Sequence, residues 1–132
     1  MQDSIFTRII KGEINSYKVL EEDKFIAFLD INPIKEGHTL VVPKMQVDYI
    51  YDLPEDIYKE LFVFSKKVSK MLKKTFDCKR IGLSVIGLEV PHAHIHLVPV
   101  DHIKDMSFEN ERIQYSNEEF SVILKRIKES NL

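Results

Sequence analysis

Residues Val90 to Val100 read VPHAHIHLVPV. Three of the chain's five histidines, His92, His94 and His96, stand here at alternate positions, with apolar residues between and after them. Side chains of an extended strand alternate between faces. The pattern therefore predicts a strand with the three imidazoles on one solvent-facing side and Ala93, Ile95 and Leu97 on the core side. Same-side neighbours on a strand lie ~6.5–7 Å apart, so one tetrahedral phosphate group reaches two rings with the third close by. Imidazole titrates near neutrality; it is a nucleophile when neutral and a donor to anionic oxygen when protonated. Two other readings compete. His-x-His is also a metal-ligand spacing, and three histidines on a half-wet strand are the bland alternative. Against a metal, the neighbouring positions are apolar and no HExxH or Cys pair adds ligands, so no metal site and no cofactor are expected.

The flanking segments fit one sheet. RIGLSVIG precedes the histidine stretch and reads as a strand. Upstream, YKVLEED and KFIAFLDI read as two antiparallel strands turning at Glu22–Lys24, and HTLVVP as a third after the INPIKEG loop. From Pro54 to about Thr75 the period becomes helical, with Ile57, Leu61, Phe64, Val68, Met71 and Leu72 in one apolar stripe. Pro54 suits the first turn, and Glu55 and Asp56 face the positive end of the dipole. Tyr58, Phe62 and Ser65 form a weaker stripe that reads equally as extra core or as a subunit contact. Ser4 is a candidate N-cap for a short helix ending at Gly12. Ser116-Asn117-Glu118-Glu119 matches a capping box ahead of Phe120, Ile123, Leu124 and Ile127. The stretch between Asp101 and Tyr115 shows no pattern. Strands in runs, rather than in strict alternation with helices, give an α+β class: a five-stranded antiparallel sheet with one long helix, a short N-terminal helix and a C-terminal helix.

The chain has 132 residues, 44% hydrophobic and 30% charged, with formal net charge −2 and a pI of about 6.2. That suits a single domain over 1–132, with a core at about 4–99 and a C-terminal extension at about 100–132. No basic stripe suggests a nucleic-acid partner; Lys66, Lys67, Lys70, Lys73 and Lys74 read as a solvated helix face. Cys78 stands alone, so no internal disulfide forms. No segment approaches the ~20 apolar residues of a bilayer span, and the start MQDSIFTRIIKGE carries no cleavage signal. No membrane partner is expected, and a cytoplasmic location is.

His92-Ala93-His94-Ile95-His96-Leu97-Val98 resembles the signature of the histidine triad (HIT) superfamily, His-φ-His-φ-His-φ-φ, where φ is apolar. SIFTRIIKGEI resembles that family's opening helix, and AFLDINPIKEGHTLVVPK its strand–loop–strand block. The resemblance runs from about Ser4 to Pro99. It implies a HIT-like fold, usually a homodimer with strands joining across subunits. It also implies hydrolase or nucleotidyl-transferase chemistry at the α-phosphate of a purine nucleotide conjugate, of AMP or GMP. By this mapping His94 is the nucleophile, His96 bonds the phosphoryl oxygens, and His92 supports the centre. His38 helps orient the row, Asp30 contacts the ribose hydroxyls, and Ile5, Phe6, Ile9, Phe28 and Ile31 line the base pocket. Each has a plainer alternative: Asp30 as a turn initiator before Asn32-Pro33, His38 as a structural histidine, and the apolar residues as ordinary core.

The chain also departs from the family pattern. Before the histidines stands only SVIGLEVPH, with Gly87 retained but Leu88 where a phosphate-holding Gln is expected. Glu89 stands where other members carry Ser or Thr near the leaving group. A carboxylate there repels a polyphosphate and attracts an amine, which favours an AMP-amine phosphoramidate over a dinucleoside polyphosphate. A solvated strand end is the alternative for Glu89. The missing Gln also leaves open a nucleotide-binding regulatory module with weak catalysis. SIFTRII lacks the cysteines by which some relatives bind a structural zinc, so no zinc is expected.

Overall fold

Five strands form one antiparallel sheet: β1 (Lys18–Glu21), β2 (Phe25–Leu29), β3 (Thr39–Pro43), β4 (Arg80–Ser84) and β5 (Ile95–Val100). Their order in space is β1-β2-β3-β5-β4, so β1 and β4 are the two edges. The helices are α1 (Ile5–Ile10), α2 (Glu55–Thr75) and α3 (Asn117–Ser130), with 3₁₀ turns at Ile50–Asp52 and Ile103–Met106. This computed structural model describes all residues, 1–132. The α+β class, the five strands and the three helices agree with the sequence reading. No helix is long and apolar enough to cross a membrane.

Strand alternation divides the core in two. Phe25, Ala27, Leu29, Val41, Ile95 and Leu97 face one side, where they meet the Ile57, Leu61, Phe64, Val68 and Leu72 stripe of α2 and Phe120, Ile123 and Ile127 of α3. Ile26, Phe28, Leu40 and Val42 face the other side and pack with Phe6 of α1. Leu61, Val68 and Leu72 are fully buried, each worth about 1.5–3 kcal/mol relative to exposure. The weaker α2 stripe is mixed: Tyr58 and Phe62 are half-buried against the larger cluster, while Ser65 is buried and donates to the Leu61 carbonyl at 2.9 Å.

The helix ends follow their sequence signals. Ser4 Oγ caps α1 by accepting from the Thr7 amide at 3.0 Å. At α3, Ser116 Oγ accepts from the Glu119 amide at 3.1 Å, and Glu119 Oε1 accepts from the Ser116 amide at 2.9 Å. Gly37 has φ +90°, and a Cβ there would lie 2.6 Å from the Phe76 ring. Only glycine fits this turn, which delivers His38 to the start of β3.

The histidine stretch differs from its expectation in one respect. β5 begins at Ile95, so His92 to His94 precede the strand. The alternation holds, because Ala93, Ile95 and Leu97 join the larger core cluster. The histidine side is not open to solvent, however: His92 is 0% and His94 4% exposed. The reason is α1, whose Phe6 ring lies edge-on to His92 at 5.8 Å and to His94 at 4.9 Å. A short helix covers the face that local periodicity leaves free.

Candidate active site

Each ring of the row has its proton assigned by its partners. His94 Nδ1 lies 2.7 Å from the His92 carbonyl oxygen. A carbonyl only accepts, so Nδ1 carries the hydrogen and Nε2 keeps a free lone pair. His92 Nε2 likewise donates to the Pro43 carbonyl at 2.8 Å, so its Nδ1 accepts from Ser4 Oγ at 2.7 Å. Thr7 Oγ1 and the Ser4 amide both donate to Gln46 Oε1, at 2.6 and 2.9 Å. His38 Nδ1 accepts from the Ile34 amide at 3.1 Å, so His38 Nε2 is the donor to His96 Nδ1 at 3.0 Å. His96 therefore carries its hydrogen on Nε2. The row thus presents one acceptor, His94 Nε2, next to one donor, His96 Nε2–H, on rings 4.8 Å apart between centroids.

Burial keeps all four imidazoles neutral at pH 7. It pushes His38 and His96 down to about 3 from 6.5, and the charges of Arg112 and His94 add to the effect on both. His92 is lowered by burial, against the pull of the Pro43 carbonyl. His94 is lowered by burial too, opposed by the His92 carbonyl, Asp30 and Glu89. Those three groups stabilise positive charge on His94, the charge that develops when its Nε2 forms a bond.

His94 and His96 line the boundary of two cavities. One, of about 180 Å³, is lined by Ile5, Phe6, Ile9, Phe28, Asp30, Ile31 and Glu89, with Ile14, Asn15, Ser16, Leu29, Leu40 and Val90. The other, of about 230 Å³, is lined by Asp30, Ile86, Gly87, Leu88, Glu89, Phe108 and Arg112. A third hollow of about 200 Å³, beside Tyr49, Tyr51, Val85 and Ile86, also reaches His94. The fold therefore gathers every sequence-predicted site residue except His38 and His92 into the cavity walls. Those two sit behind the walls as the hydrogen-bond partners described above.

Asp30 makes the turn contact of its plainer reading and also faces the cavities. Its Oδ1 accepts from the Asn32 amide at 2.8 Å, as a turn initiator does, while the residue lines both cavities. Glu89 lies at the rim with its side chain 83% exposed and 3.9 Å from Arg112. Leu88 is 88% exposed and presents no polar group where the Gln is missing.

Phe108, Arg112 and the Ser4–Thr7–Gln46 cluster had no sequence signal. Phe108 and Arg112 come from a patternless segment, and Gln46 lies 42 residues from the amide it accepts. Asp30, His38 and His96 place ligand atoms within 4.8 Å of one another, as a metal site would. The donor chemistry does not suit a cation. His38 Nδ1 is an acceptor for the Ile34 amide, so Nε2 holds the ring's only proton, and a metal there would need an imidazolate. The Ser4 and Thr7 hydroxyls complete a hydrogen-bonded cluster with Gln46 and His92.

The HIT domain family model matches residues 11–103. The chain belongs to the HIT family. An uncharacterized HIT-like protein of Borreliella burgdorferi is 38% identical over 106 residues, 75% of this chain and 76% of the relative. Adenosine 5'-monophosphoramidase HNT1 of Saccharomyces cerevisiae is 36% identical over 96 residues, 72% of this chain and 61% of the relative. A crystal structure of a Hit-like protein involved in cell-cycle regulation from Bartonella henselae superposes with TM-score 0.83 and 28% identity, covering 97% and 96% of the two chains. Its fold is that of this HIT protein. The family model ends at residue 103, so Phe108, Arg112 and α3 lie outside it.

Proposed function

We propose that this protein is a nucleotide hydrolase that attacks the α-phosphate of a purine nucleotide conjugate through His94. The observation that carries the reading is the 2.7 Å bond from His94 Nδ1 to the His92 carbonyl, which leaves Nε2 as a free nucleophile at the cavity floor. Nε2 forms a bond to phosphorus while the bond to the leaving group breaks. A nucleotidyl-histidine results, and water then releases the nucleotide. Splitting one displacement into two lowers each barrier. His96 Nε2–H donates to a phosphoryl oxygen, where charge grows in the transition state. His38 positions His96, and His92 positions His94. Asp30 accepts from the ribose hydroxyls, and the cavity of Ile5, Phe6, Ile9, Phe28 and Ile31 buries the base.

Glu89 at the rim disfavours a polyphosphate and favours an amine, so an AMP-amine phosphoramidate is the proposed substrate type. The phosphoramidase name of the yeast relative agrees with this. Leu88 in place of the Gln favours a second reading, a nucleotide-binding module with weak catalysis. The His94→Ala variant separates the two. The enzyme reading requires AMP binding to persist while turnover falls roughly 10⁴-fold, with loss of a trappable phosphohistidine. Absence of turnover on any adenylate by the unaltered protein would leave only the binding module. Dinucleoside polyphosphates cleaved faster than phosphoramidates would overturn the role given to Glu89.

We also propose a homodimer. β4 is an open edge, and Leu83 on it and Val85 and Ile86 just after it are exposed apolar residues. Such a surface is commonly covered. Light scattering of the purified protein tests it. The lone, half-buried Cys78 fits a reducing, cytoplasmic setting.

A further inference from the structure

The cavity that adjoins the base cavity at His94 and His96 has a wall from beyond the matched family segment. Phe108 and Arg112, in the turn between β5 and α3, close it. Arg112 is held firmly. Its NH1 donates to the Asn32 carbonyl at 2.7 Å, and the next residue's amide donates to the Pro33 carbonyl at 2.8 Å. The guanidinium lies 5.7 Å from the Phe108 ring centroid, and that ring is edge-on to His96 at 4.7 Å. The Arg112 side chain is 21% exposed, so the charge is partly desolvated. Its effect reaches the row: it is among the charges that lower His38 and His96.

The second amino group of the guanidinium is poorly matched. NH2 lies 3.9 Å from Glu89 Oε1, beyond hydrogen-bond length, and the Glu89 side chain is 83% exposed. An exposed ion pair of this kind is worth little. A planar guanidinium already fixed by the protein recognises a carboxylate or phosphate with two parallel bonds and loses little freedom in doing so. The apolar cavity of Ile5, Phe6 and Ile9 shares Asp30, Glu89, His94 and His96 with this one but not Arg112, so with the base in the apolar cavity, whatever meets Arg112 belongs to the departing half of the substrate.

We infer that Arg112 binds an anionic group carried by the leaving fragment, so that the preferred substrate is a nucleotide joined to an amine that bears its own carboxylate or phosphate. Glu89 at the rim and Arg112 beneath it then address the two ends of one fragment: its amine and its acid. This rests on the reading of His94 as nucleophile at the α-phosphate. It adds a specificity determinant outside the matched family segment.

The test compares three AMP phosphoramidates: one of a simple alkyl amine, one of an ω-amino carboxylate, and one of an aminoalkylphosphonate. The unaltered protein should cleave an acid-bearing conjugate with kcat/KM about tenfold or more above the alkyl one, as expected for a charged hydrogen bond. Which acid leads tells carboxylate from phosphate. In Arg112→Gln the ratio should fall to about one. In Glu89→Gln, which frees Arg112 from its competitor, the ratio should rise. Because the ratio is taken within each variant, changes at the amine cancel. If Arg112→Gln does not fold, the unaltered protein and Glu89→Gln still decide the matter. Equal rates for all three conjugates, or an acid preference that survives Arg112→Gln, overturns the inference and leaves the role of His94 standing. Failure to cleave any conjugate overturns both.

Discussion

Taking the protein from pH 7 to pH 5 in a denaturant titration should move its midpoint sharply downward. His38 and His96 are held near a pKa of about 3 by burial, against 6.5 for a free imidazole. In the unfolded chain both rings take a proton near pH 6.5; in the folded protein they do not. The unfolded state therefore binds more protons between these values, and stability is lost as pH falls from about 6.5 toward 3. At about 1.4 kcal/mol per pH unit, each ring costs about 2 kcal/mol at pH 5, or about 4 kcal/mol for the pair. His92 and His94 are lowered as well and act in the same direction. A domain of this kind has only about 5–15 kcal/mol in total. The window isolates the histidines. Glu21 and Asp105 are lowered from 4.5 and 3.8 by side-chain and backbone donors, so their contribution persists until the pH falls to those values. The assay is urea unfolding followed by circular dichroism at half-unit pH steps. A stability change below about 1 kcal/mol between pH 7 and pH 5 would refute the assignment of the row as buried and neutral.

Two further substitutions probe the same scaffold. Ser4→Ala removes both the α1 cap and the donor to His92 Nδ1, and should cost about 2–4 kcal/mol; Ser4→Gly restores most of the cap, so its remaining loss reads the buried His92 bond alone, by thermal melting. Gly37→Ala forces a side chain onto φ +90° and into the Phe76 ring, and should destabilise by about 1–3 kcal/mol in the same melts; an unchanged melting temperature would show that the turn tolerates a Cβ.

Much of the site is legible in the sequence because its chemistry is local. His92, His94 and His96 sit on one side of the chain by strand alternation, and Ile95 and Leu97 enter the core by the same rule. The α2 stripe and the Ser116–Glu119 box are also short-range patterns, and both form as read. Exposure of the row was not legible, because the residue that covers it, Phe6, lies 86 positions from His92 and its placement depends on α1 docking. Arg112 and Phe108 escaped for a related reason. Neither belongs to a periodic segment, and their meaning arises only when Arg112 bonds Asn32, 80 residues away. Glu89 stands 3.9 Å from Arg112, a neighbour of opposite charge that nothing in its own segment announces.

The direction of the single bond between His94 Nδ1 and the His92 carbonyl has a consequence for any electrophile that enters, substrate or not. An imidazole in free solution is labelled at both nitrogens and gives a mixture of regioisomers. Here Nδ1 is occupied, so phosphorylating and alkylating probes alike should yield the tele isomer at this residue, and the pros isomer should be missing from the digest.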